Sequence, residues 1–409
     1  MGIESAIYIG AALFAYALVS KRLASSPLSG PLIFATLGLV GYAAGVLTPI
    51  VVIDSPVVLV LELTLALLLF FDASKVQFRS WDADMDLPTR LLAIGMPLTI
   101  VLGAVVAYVV FPSVGIIGAA IMATILAPTD AALGRAVVSN PGVPVRIREA
   151  LGIESGLNDG IALPILLFLI TIASAEEGLA LWSVFVKSIG IAVVVGLVLG
   201  LGAAFAIQFA LERSWIERNW VRISLVIVAF GTYIIADNLG GSGFIAAYVA
   251  GLAFGRLLDR LNTPKEHFEE FGQELGSLLM MTSFLFFGAY MLAPNLAAFT
   301  AATVFYAVMS LTAVRMIPVA ISMIGTGLAP PTIAYLGWFG PRGLASIVFT
   351  GVLIEVAGVA QTELVVAVVI VTVAFSVLLH GVTAPWGANK YAAWCASQPD
   401  PAQENETPA

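Results

Sequence analysis

Long apolar segments with few charges follow one another along almost the whole 409-residue chain. About 20 predominantly apolar residues are enough for a helix to cross the hydrocarbon core of a bilayer, where a helix satisfies its own backbone hydrogen bonds. Charged residues, Pro and Gly divide the sequence into thirteen such segments, numbered spans 1 to 13. They cover residues 3–20, 27–47, 56–73, 88–110, 113–138, 149–174, 181–211, 220–239, 241–258, 271–292, 297–324, 330–355 and 362–385. The pattern predicts an all-α polytopic membrane protein with about 13 transmembrane helices.

The composition agrees with a membrane protein and excludes several other classes. Only 11% of the residues are charged, against about 25% in a typical soluble domain, and 60% are hydrophobic. Disorder of the whole chain is excluded because it requires low hydrophobicity. The single cysteine, Cys395, excludes a disulfide scaffold. A net charge of −8 without a basic cluster argues against a nucleic-acid partner.

The chain is expected to form one transmembrane domain over residues 1–396. Residues 397–409 are rich in Pro, Glu and Gln and predict a disordered cytoplasmic tail. The N-terminus has neither a basic region nor a small-residue cleavage site, so span 1 is expected to be retained rather than removed as a signal peptide.

The basic residues predict how the chain is oriented in the membrane. If the N-terminus lies outside, 15 of the 18 Lys and Arg residues fall on the inner side, whereas Lys187 falls outside and Arg315 and Arg342 fall within spans. Basic residues concentrate in the cytoplasmic loops of membrane proteins. We therefore expect a multi-pass protein of the cell (plasma) membrane with an external N-terminus and a cytoplasmic C-terminus.

Spans 1–6 and 8–13 form two sets of six with opposite predicted orientation, an arrangement of inverted repeats that many transporters have. Span 5 contains Pro128 close to Asp130, and span 12 contains the Gly-Pro-Arg-Gly sequence of residues 340–343. Pro interrupts the hydrogen bonding of a helix, and freed backbone groups at membrane depth are tolerated where they line a cavity. We expect discontinuous helices at spans 5 and 12, in corresponding positions of the two repeats.

Ionisable side chains inside a span are energetically costly and are therefore candidate functional residues. Those predicted to lie deep are Glu62, Asp130, Glu154, Asp159, Arg315 and Arg342. Four others lie near span ends and are expected at the interface, namely Asp72, Arg135, Asp237 and Glu355. Arg315 stays charged at any depth and needs a partner, and the sequence leaves both Glu62 and Glu154 open for this role.

Span 6 contains the densest polar cluster, at residues 154–159. On a helix, Glu154, Ser155, Asn158 and Asp159 fall within an arc of about 140° and so share one face. Their oxygen atoms are hard ligands, which suit a hard cation and not a soft metal. A polar seam between helices is the alternative, but two carboxylates within six residues favour a cation site.

Three segments of the sequence resemble the monovalent cation–proton antiporters, and within them the NhaP-type branch that also contains the animal sodium–proton exchangers. The segments are LAPTDAALGRAVVSNPGVPVRIREALGIESGLNDGIALP (126–164), GGSGFIAAYVAGLAFG (240–255) and GWFGPRGLASIVF (337–349). The resemblance covers nearly the whole chain. It implies a homodimer in which a core of spans 4–6 and 11–13, about residues 88–174 and 297–385, moves against a dimerisation part formed by the remaining spans. Spans 5 and 12 would cross where each is unwound.

The resemblance also implies which residues hold the transported ion. Asp159 would be the essential carboxylate, which binds either the cation or the proton. Ser155 and the backbone carbonyl of Thr129 would coordinate the cation, and Asp130 and Glu154 would contribute directly or through water.

Three further residues would shape the site. Asn158 occupies the position that is Asp in the electrogenic branch of the antiporters. Arg315 would hold Glu154 and Asn158 in place, and Arg342 would balance the dipole ends of the half-helices.

These residues predict a secondary transporter and not an enzyme. It would exchange Na⁺, or Li⁺, for H⁺ by alternating access, and it would need no cofactor. Because Asn158 leaves one exchangeable charge at Asp159, a one-for-one electroneutral exchange is expected. Alternatives are a K⁺(Na⁺)/H⁺ antiporter of the same fold, a cation channel with the same polar face, and an intramembrane aspartyl hydrolase built on Asp130 and Asp159.

Overall fold

A computed structural model describes residues 2–23, 26, 28–48, 56–75, 86–130, 133, 135–174, 178–260, 266–355 and 359–398. Within these ranges the regular secondary structure is entirely helical, which confirms the all-α prediction. Residues 399–409 of the predicted tail lie outside the described residues.

The helices follow the predicted spans in order. In the first half of the chain they are α1 (Ile3–Leu23), α2 (Gly30–Ala43), α3 (Pro56–Ser74), α4 (Asp86–Arg90), α5 (Met96–Val110), α6 (Gly115–Ile125), α7 (Arg135–Val138), α8 (Val145–Ala173) and α9 (Gly178–Glu212). In the second half they are α10 (Arg218–Asn238), α11 (Gly243–Arg260), α12 (Glu266–Phe286), α13 (Ala301–Leu311), α14 (Ala313–Ser322), α15 (Pro330–Trp338), α16 (Leu344–Glu355) and α17 (Thr362–Ala396). A π-helical turn, Leu91–Gly95, joins α4 to α5.

Nine helices in the described ranges are long and apolar enough to cross a membrane. Shorter apolar helices occur at Gly30–Ala43, Pro112–Ile125, Gly243–Leu258 and Leu344–Glu355. Each predicted span contains at least one of these helices. The total of 13 crossings and the inverted relation between the two halves stay predictions.

Spans 5 and 12 are both interrupted, as predicted. In span 5, α6 ends at Ile125 and the next helix begins at Arg135. In span 12, α15 ends at Trp338 and α16 begins at Leu344. Span 11 is interrupted as well, because Thr312 between α13 and α14 has φ −112° and ψ −95°. That third interruption was not expected from the sequence.

The helix of span 13 extends beyond the predicted apolar segment. The span was predicted to end at residue 385, whereas α17 continues to Ala396 with Pro385 inside the helix. A proline within a membrane helix is tolerated where neighbouring groups satisfy the freed backbone, and residues 386–396 contain no further Pro and include several Ala. The extension makes α17 35 residues long.

Close packing of α3 against α11 positions one side of the site. Gly251 and Gly255 of α11 lie against the backbone carbonyls of Phe70 and Ser74 in α3, where an added Cβ would overlap those carbonyls. Glycine permits such close approach of membrane helices. The same end of α3 packs against α8, where Asp72 meets Gly156.

Candidate functional site

The interruption of span 5 exposes backbone carbonyls that span 12 satisfies. Pro128 has no N–H and breaks the hydrogen-bond pattern after α6. Nη1 of Arg342 donates to the carbonyls of Ala127 at 2.7 Å and Pro128 at 3.3 Å. The hydroxyl of Ser346 in α16 donates to the carbonyl of Ile125 at 2.7 Å. The carbonyl of the last residue of α6 and two carbonyls of the unwound segment are therefore paired inside the protein.

The two interruptions also touch through Asp130. Its backbone N–H donates to the carbonyl of Pro341 at 2.8 Å, and its Oδ2 accepts from the backbone N–H of Leu344 at 2.9 Å. A carboxylate that accepts from the first N–H groups of a helix is favoured by the positive end of the helix dipole. Gly343 allows this contact, because a Cβ there would overlap the carboxylate of Asp130. Asp130 therefore caps α16.

The polar face of α8 lies against the unwound part of span 5. The hydroxyl of Ser155 donates to the Thr129 carbonyl at 2.8 Å. The amide of Asn158 donates to the Thr129 hydroxyl at 2.7 Å. Ser155 and Asn158 are both buried. Two neighbouring turns of α8 thus hold Thr129 by its main chain and its side chain.

Asp159 carries an unsatisfied carboxylate oxygen at this site. Its Oδ1 is buried and has no hydrogen-bond partner among the described residues, and the same holds for Oδ1 of Asn158. The carboxylates of Asp130 and Asp72 lie close enough to Asp159 to repel a negative charge on it. An unpartnered buried acceptor needs a proton, a cation or water. The arrangement therefore offers oxygen ligands to a positively charged species.

Arg315 pairs with Glu154, which settles the choice that the sequence left open. Nη1 and Nη2 of Arg315 lie 2.5 and 2.7 Å from Oε1 and Oε2 of Glu154. Both side chains are 2% exposed. The pair engages both oxygens of Glu154. The role of Glu154 as a cation ligand stays a prediction. The other candidate, Glu62, lies beside Tyr233 of α10 instead.

Arg342 is fully buried at the junction of the two interruptions. Besides the contacts of its side chain to the carbonyls of Ala127 and Pro128, just after the end of α6, its backbone N–H donates to the Ser376 hydroxyl at 2.6 Å. Ser376 in turn lies 3.2 Å from Nδ1 of His380, whose Nε2 lies 2.9 Å from the carbonyl of Trp338. The C-terminal end of a helix carries partial negative charge, which a guanidinium offsets. The role of Arg342 in transport stays a prediction.

Asp72 approaches α8 in a way that the sequence did not indicate. It was expected at the interface, which stays a prediction, and its Cβ lies 3.1 Å from the place that a Cβ on Gly156 would take. Its Oδ1 pairs with Nζ of Lys75 at 2.6 Å, and each side chain is 34% exposed. The sequence feature that could have indicated this position is the pair of glycines in α11, which allows α3 to pack closely. Asp237 and Glu355 are exposed, and the side chain of Arg135 lies outside the described residues.

A small cavity of about 10 Å³ lies between the site and α7. Its polar lining consists of Thr129, Asp130 and Ser155. Its apolar lining includes Leu151 and Phe339. The cavity has room for about one water molecule beside the unwound segment.

Comparisons with known proteins agree with this geometry. The sequence profile of the family described as "Sodium/hydrogen exchanger, transmembrane" matches residues 7–390. The Na(+)/H(+) antiporter ApNhaP of Aphanothece halophytica is 28% identical over 207 residues, which cover 50% of this chain and 38% of that protein. The K(+)/H(+) antiporter NhaP of Alkalimonas amylolytica is 25% identical over 278 residues, covering 67% of this chain and 46% of that protein. The matched region thus spans less than half the length of these curated relatives.

The fold has also been seen in a solved structure. The sodium proton antiporter MjNhaP1 from Methanocaldococcus jannaschii superposes with a TM-score of 0.76 at 21% sequence identity. The match covers 98% of this chain and 100% of that one. The family profile covers most of the sequence and the fold agrees over nearly all of it, so the chain belongs to the sodium/hydrogen exchanger family.

Proposed function

We propose that this protein exchanges a monovalent cation for H⁺ across the membrane, with Asp159 as the group that both ions share. The observation that carries the proposal is the buried, unpartnered Oδ1 of Asp159 beside the interruption of span 5. The Ser155 hydroxyl and the Thr129 carbonyl, which are hydrogen-bonded to each other, supply further oxygen atoms at the same place. Asp130 and Glu154 stay within the proposed ligand set, directly or through water.

Competition at one carboxylate explains exchange. When Asp159 binds a proton it loses its negative charge and one coordinating oxygen, so a cation is released. When it binds a cation, the proton is excluded. Asp159 returns across the membrane barrier only with one of the two ions, because an empty buried carboxylate is energetically costly.

The surroundings of Asp159 favour a one-for-one exchange. Asn158 is neutral and its amide is bound to Thr129. Glu154 is neutralised by Arg315. One net charge is therefore left for the transported ion, and a full cycle moves no net charge.

Na⁺ is the proposed cation, with Li⁺ as a further substrate. The hard oxygen ligands suit alkali cations, and one relative is named a Na(+)/H(+) antiporter. K⁺ is the second candidate. It is favoured by the relatives named K(+)/H(+) antiporters, which match a larger share of this chain than the Na(+)/H(+) relative does.

Alternating access is proposed to move a core of about residues 88–174 and 297–385 against the remaining helices, within a homodimer. Both interrupted spans belong to this core and are joined by Asp130 and Arg342. The protein is proposed to lie in the plasma membrane with its N-terminus outside, as the basic residues predict.

The test is transport by the purified protein in liposomes that carry a pH-sensitive dye. An imposed proton gradient should be dissipated on addition of Na⁺ or Li⁺, and a panel including K⁺ ranks the cations. Asp159→Asn should abolish the response while the protein keeps its melting temperature. Cation-driven proton movement at the wild-type rate in Asp159→Asn would overturn the proposal. Cation flux that needs no proton counter-gradient would identify a channel.

A further inference from the structure

A groove with aromatic walls lies between α15 and the last third of α17. Its volume is about 530 Å³, which is the size of a small-molecule site. Rings from both helices line it, those of Tyr335, Trp338, Trp386, Tyr391 and Trp394. Lys390 is the charged residue of this lining.

The walls of the groove are fixed by contacts inside the protein. The rings of Tyr335 and Tyr391 are stacked with their centres 4.1 Å apart. The Tyr391 hydroxyl is hydrogen-bonded to that of Thr332 at 2.9 Å, and Nε1 of Trp338 donates to the Thr383 hydroxyl at 3.1 Å. Because these polar groups are paired inside the protein, the groove presents mainly apolar ring surfaces.

The length of α17 places the groove at the level of the lipid headgroups. At 1.5 Å per residue, the 35-residue helix is about 52 Å long, whereas the hydrocarbon core of a bilayer is about 30 Å thick. The groove residues of α17 begin at Thr383, about 32 Å from the start of the helix. Tyr and Trp are characteristic of this depth, where one part of the ring is apolar and the other meets water.

An exposed apolar stripe leads from the groove towards the membrane centre. Leu378, Val382 and Trp386 are 50%, 42% and 64% exposed. They are spaced by four residues and so lie on one face of α17. The next residue of this stripe is Lys390, whose Nζ lies 4.8 Å from the centre of the Trp386 ring. The face thus combines an apolar track with a cation at its headgroup end.

We propose that the groove binds one anionic phospholipid from the leaflet at the C-terminal end of α17. The phosphate binds Lys390, the glycerol region fills the aromatic groove, and one acyl chain follows the stripe of Val382 and Leu378. In the predicted orientation this is the cytoplasmic leaflet. The segment that follows, residues 399–409, has no large apolar side chain to fill aromatic walls.

The site is close to the ion pathway but separate from it. Phe339 lines both the aromatic groove and the cavity beside Thr129 and Asp130. A lipid in the groove therefore packs against a residue of the interruption in span 12. Binding of the lipid does not depend on the proposed exchange, and it is measured without transport.

The first experiment is native mass spectrometry of the full chain in detergent, with phosphatidylglycerol or phosphatidylcholine added. Wild-type protein should retain one phosphatidylglycerol about fivefold more strongly than phosphatidylcholine, the factor expected for one basic residue at an anionic surface. Lys390→Gln should remove this preference. The matched control is Lys21→Gln, in the last turn of α1, which should keep it. Equal retention of the two lipids, or an unchanged preference in Lys390→Gln, overturns the proposal.

A second variant tests the apolar part of the groove. Trp386→Ala keeps the cation but removes a wall, so retention of both lipids should fall. The melting temperature should stay at the wild-type value, because Trp386 is 64% exposed. If Trp386→Ala instead splits a dimer and leaves lipid retention unchanged, the groove is covered by a second copy of the chain and the proposal is wrong.

Discussion

Glu154 and Arg315 form a two-point ion pair that is almost completely buried between α8 and α14. The guanidinium nitrogens lie 2.5 and 2.7 Å from the two carboxylate oxygens. Gly340 in the interruption of span 12 packs against this guanidinium, since a Cβ there would lie 2.5 Å from Nε of Arg315. The pair therefore joins the helix that carries Asp159 to the elements that surround the unwound segments.

Loss of one partner of this pair should destabilise the protein more than loss of the transport carboxylate. Arg315→Ala leaves the charge of Glu154 buried without a partner, at a cost of about 3–5 kcal/mol. Thermal unfolding in detergent should show a clear decrease in melting temperature for Arg315→Ala and an unchanged melting temperature for Asp159→Asn. The double variant Arg315→Ala with Glu154→Gln should recover part of the loss, because no charge stays unpaired. A melting temperature unchanged in Arg315→Ala would mean that the pair does not stabilise the fold.

The contact between the two interruptions should not tolerate a methyl group at Gly343. A Cβ there would overlap the carboxylate of Asp130, so Gly343→Ala should displace Asp130 from the N-terminus of α16 and reduce exchange strongly. Gly351, eight residues along in span 12, has open space around an added Cβ. Gly351→Ala is therefore the matched control and should transport normally, with a gain in helix stability of up to about 1 kcal/mol. Equal rates for the two variants would contradict the proposed role of the Asp130 cap.

The interruptions at spans 5 and 12 could be predicted because Pro and Gly act locally. Pro128 removes a backbone donor wherever the rest of the chain lies, and the Gly-Pro sequence of residues 340–341 does the same in span 12. The end of α17 could not be placed by the same rule, since Pro385 is accommodated inside the helix. Local chemistry therefore predicts where a helix is weakened, whereas packing decides whether it ends there.

The sequence alone could not predict which ionisable residues pair across helices. Arg315 and Glu154 are 161 residues apart, and choosing Glu154 over Glu62 requires the packing of α8 against α14. Asp72 was assigned to the interface from its place near a span end. The glycines at positions 251 and 255 draw α3 towards α11, and the same end of α3 meets α8 at Gly156. The ionisable residues could thus be found from hydropathy alone, but their pairing depends on three-dimensional contacts.

Ser155 should affect the affinity for the cation without being essential. Ser155→Ala removes one oxygen ligand and the hydrogen bond to the Thr129 carbonyl, while Asp159 stays in place. We expect the KM for Na⁺ to rise about two- to tenfold, the range for loss of one such interaction, with little change in maximal rate. Ser174 follows α8, and its hydroxyl bonds to carbonyls of its own helix at Ile170 and Thr171, so Ser174→Ala is the control. A wild-type KM in Ser155→Ala would remove Ser155 from the ligand set.

The charge balance of the cycle depends on Asn158 and on the neutralised Glu154. If one proton exchanges for one monovalent cation, turnover moves no net charge. The rate should then not depend on an imposed membrane potential. An exchange of two protons for one cation would move one charge, worth about 2.3 kcal/mol per 100 mV, and would bias the rate visibly.

The measurement is the initial rate of exchange in liposomes with and without a potential set by valinomycin and K⁺, at fixed gradients of Na⁺ and H⁺. We expect the same rate in both conditions. A rate that depends on the potential in the wild-type protein would show that Glu154 titrates during the cycle, and the one-for-one assignment would then be wrong even with Asp159 correctly placed.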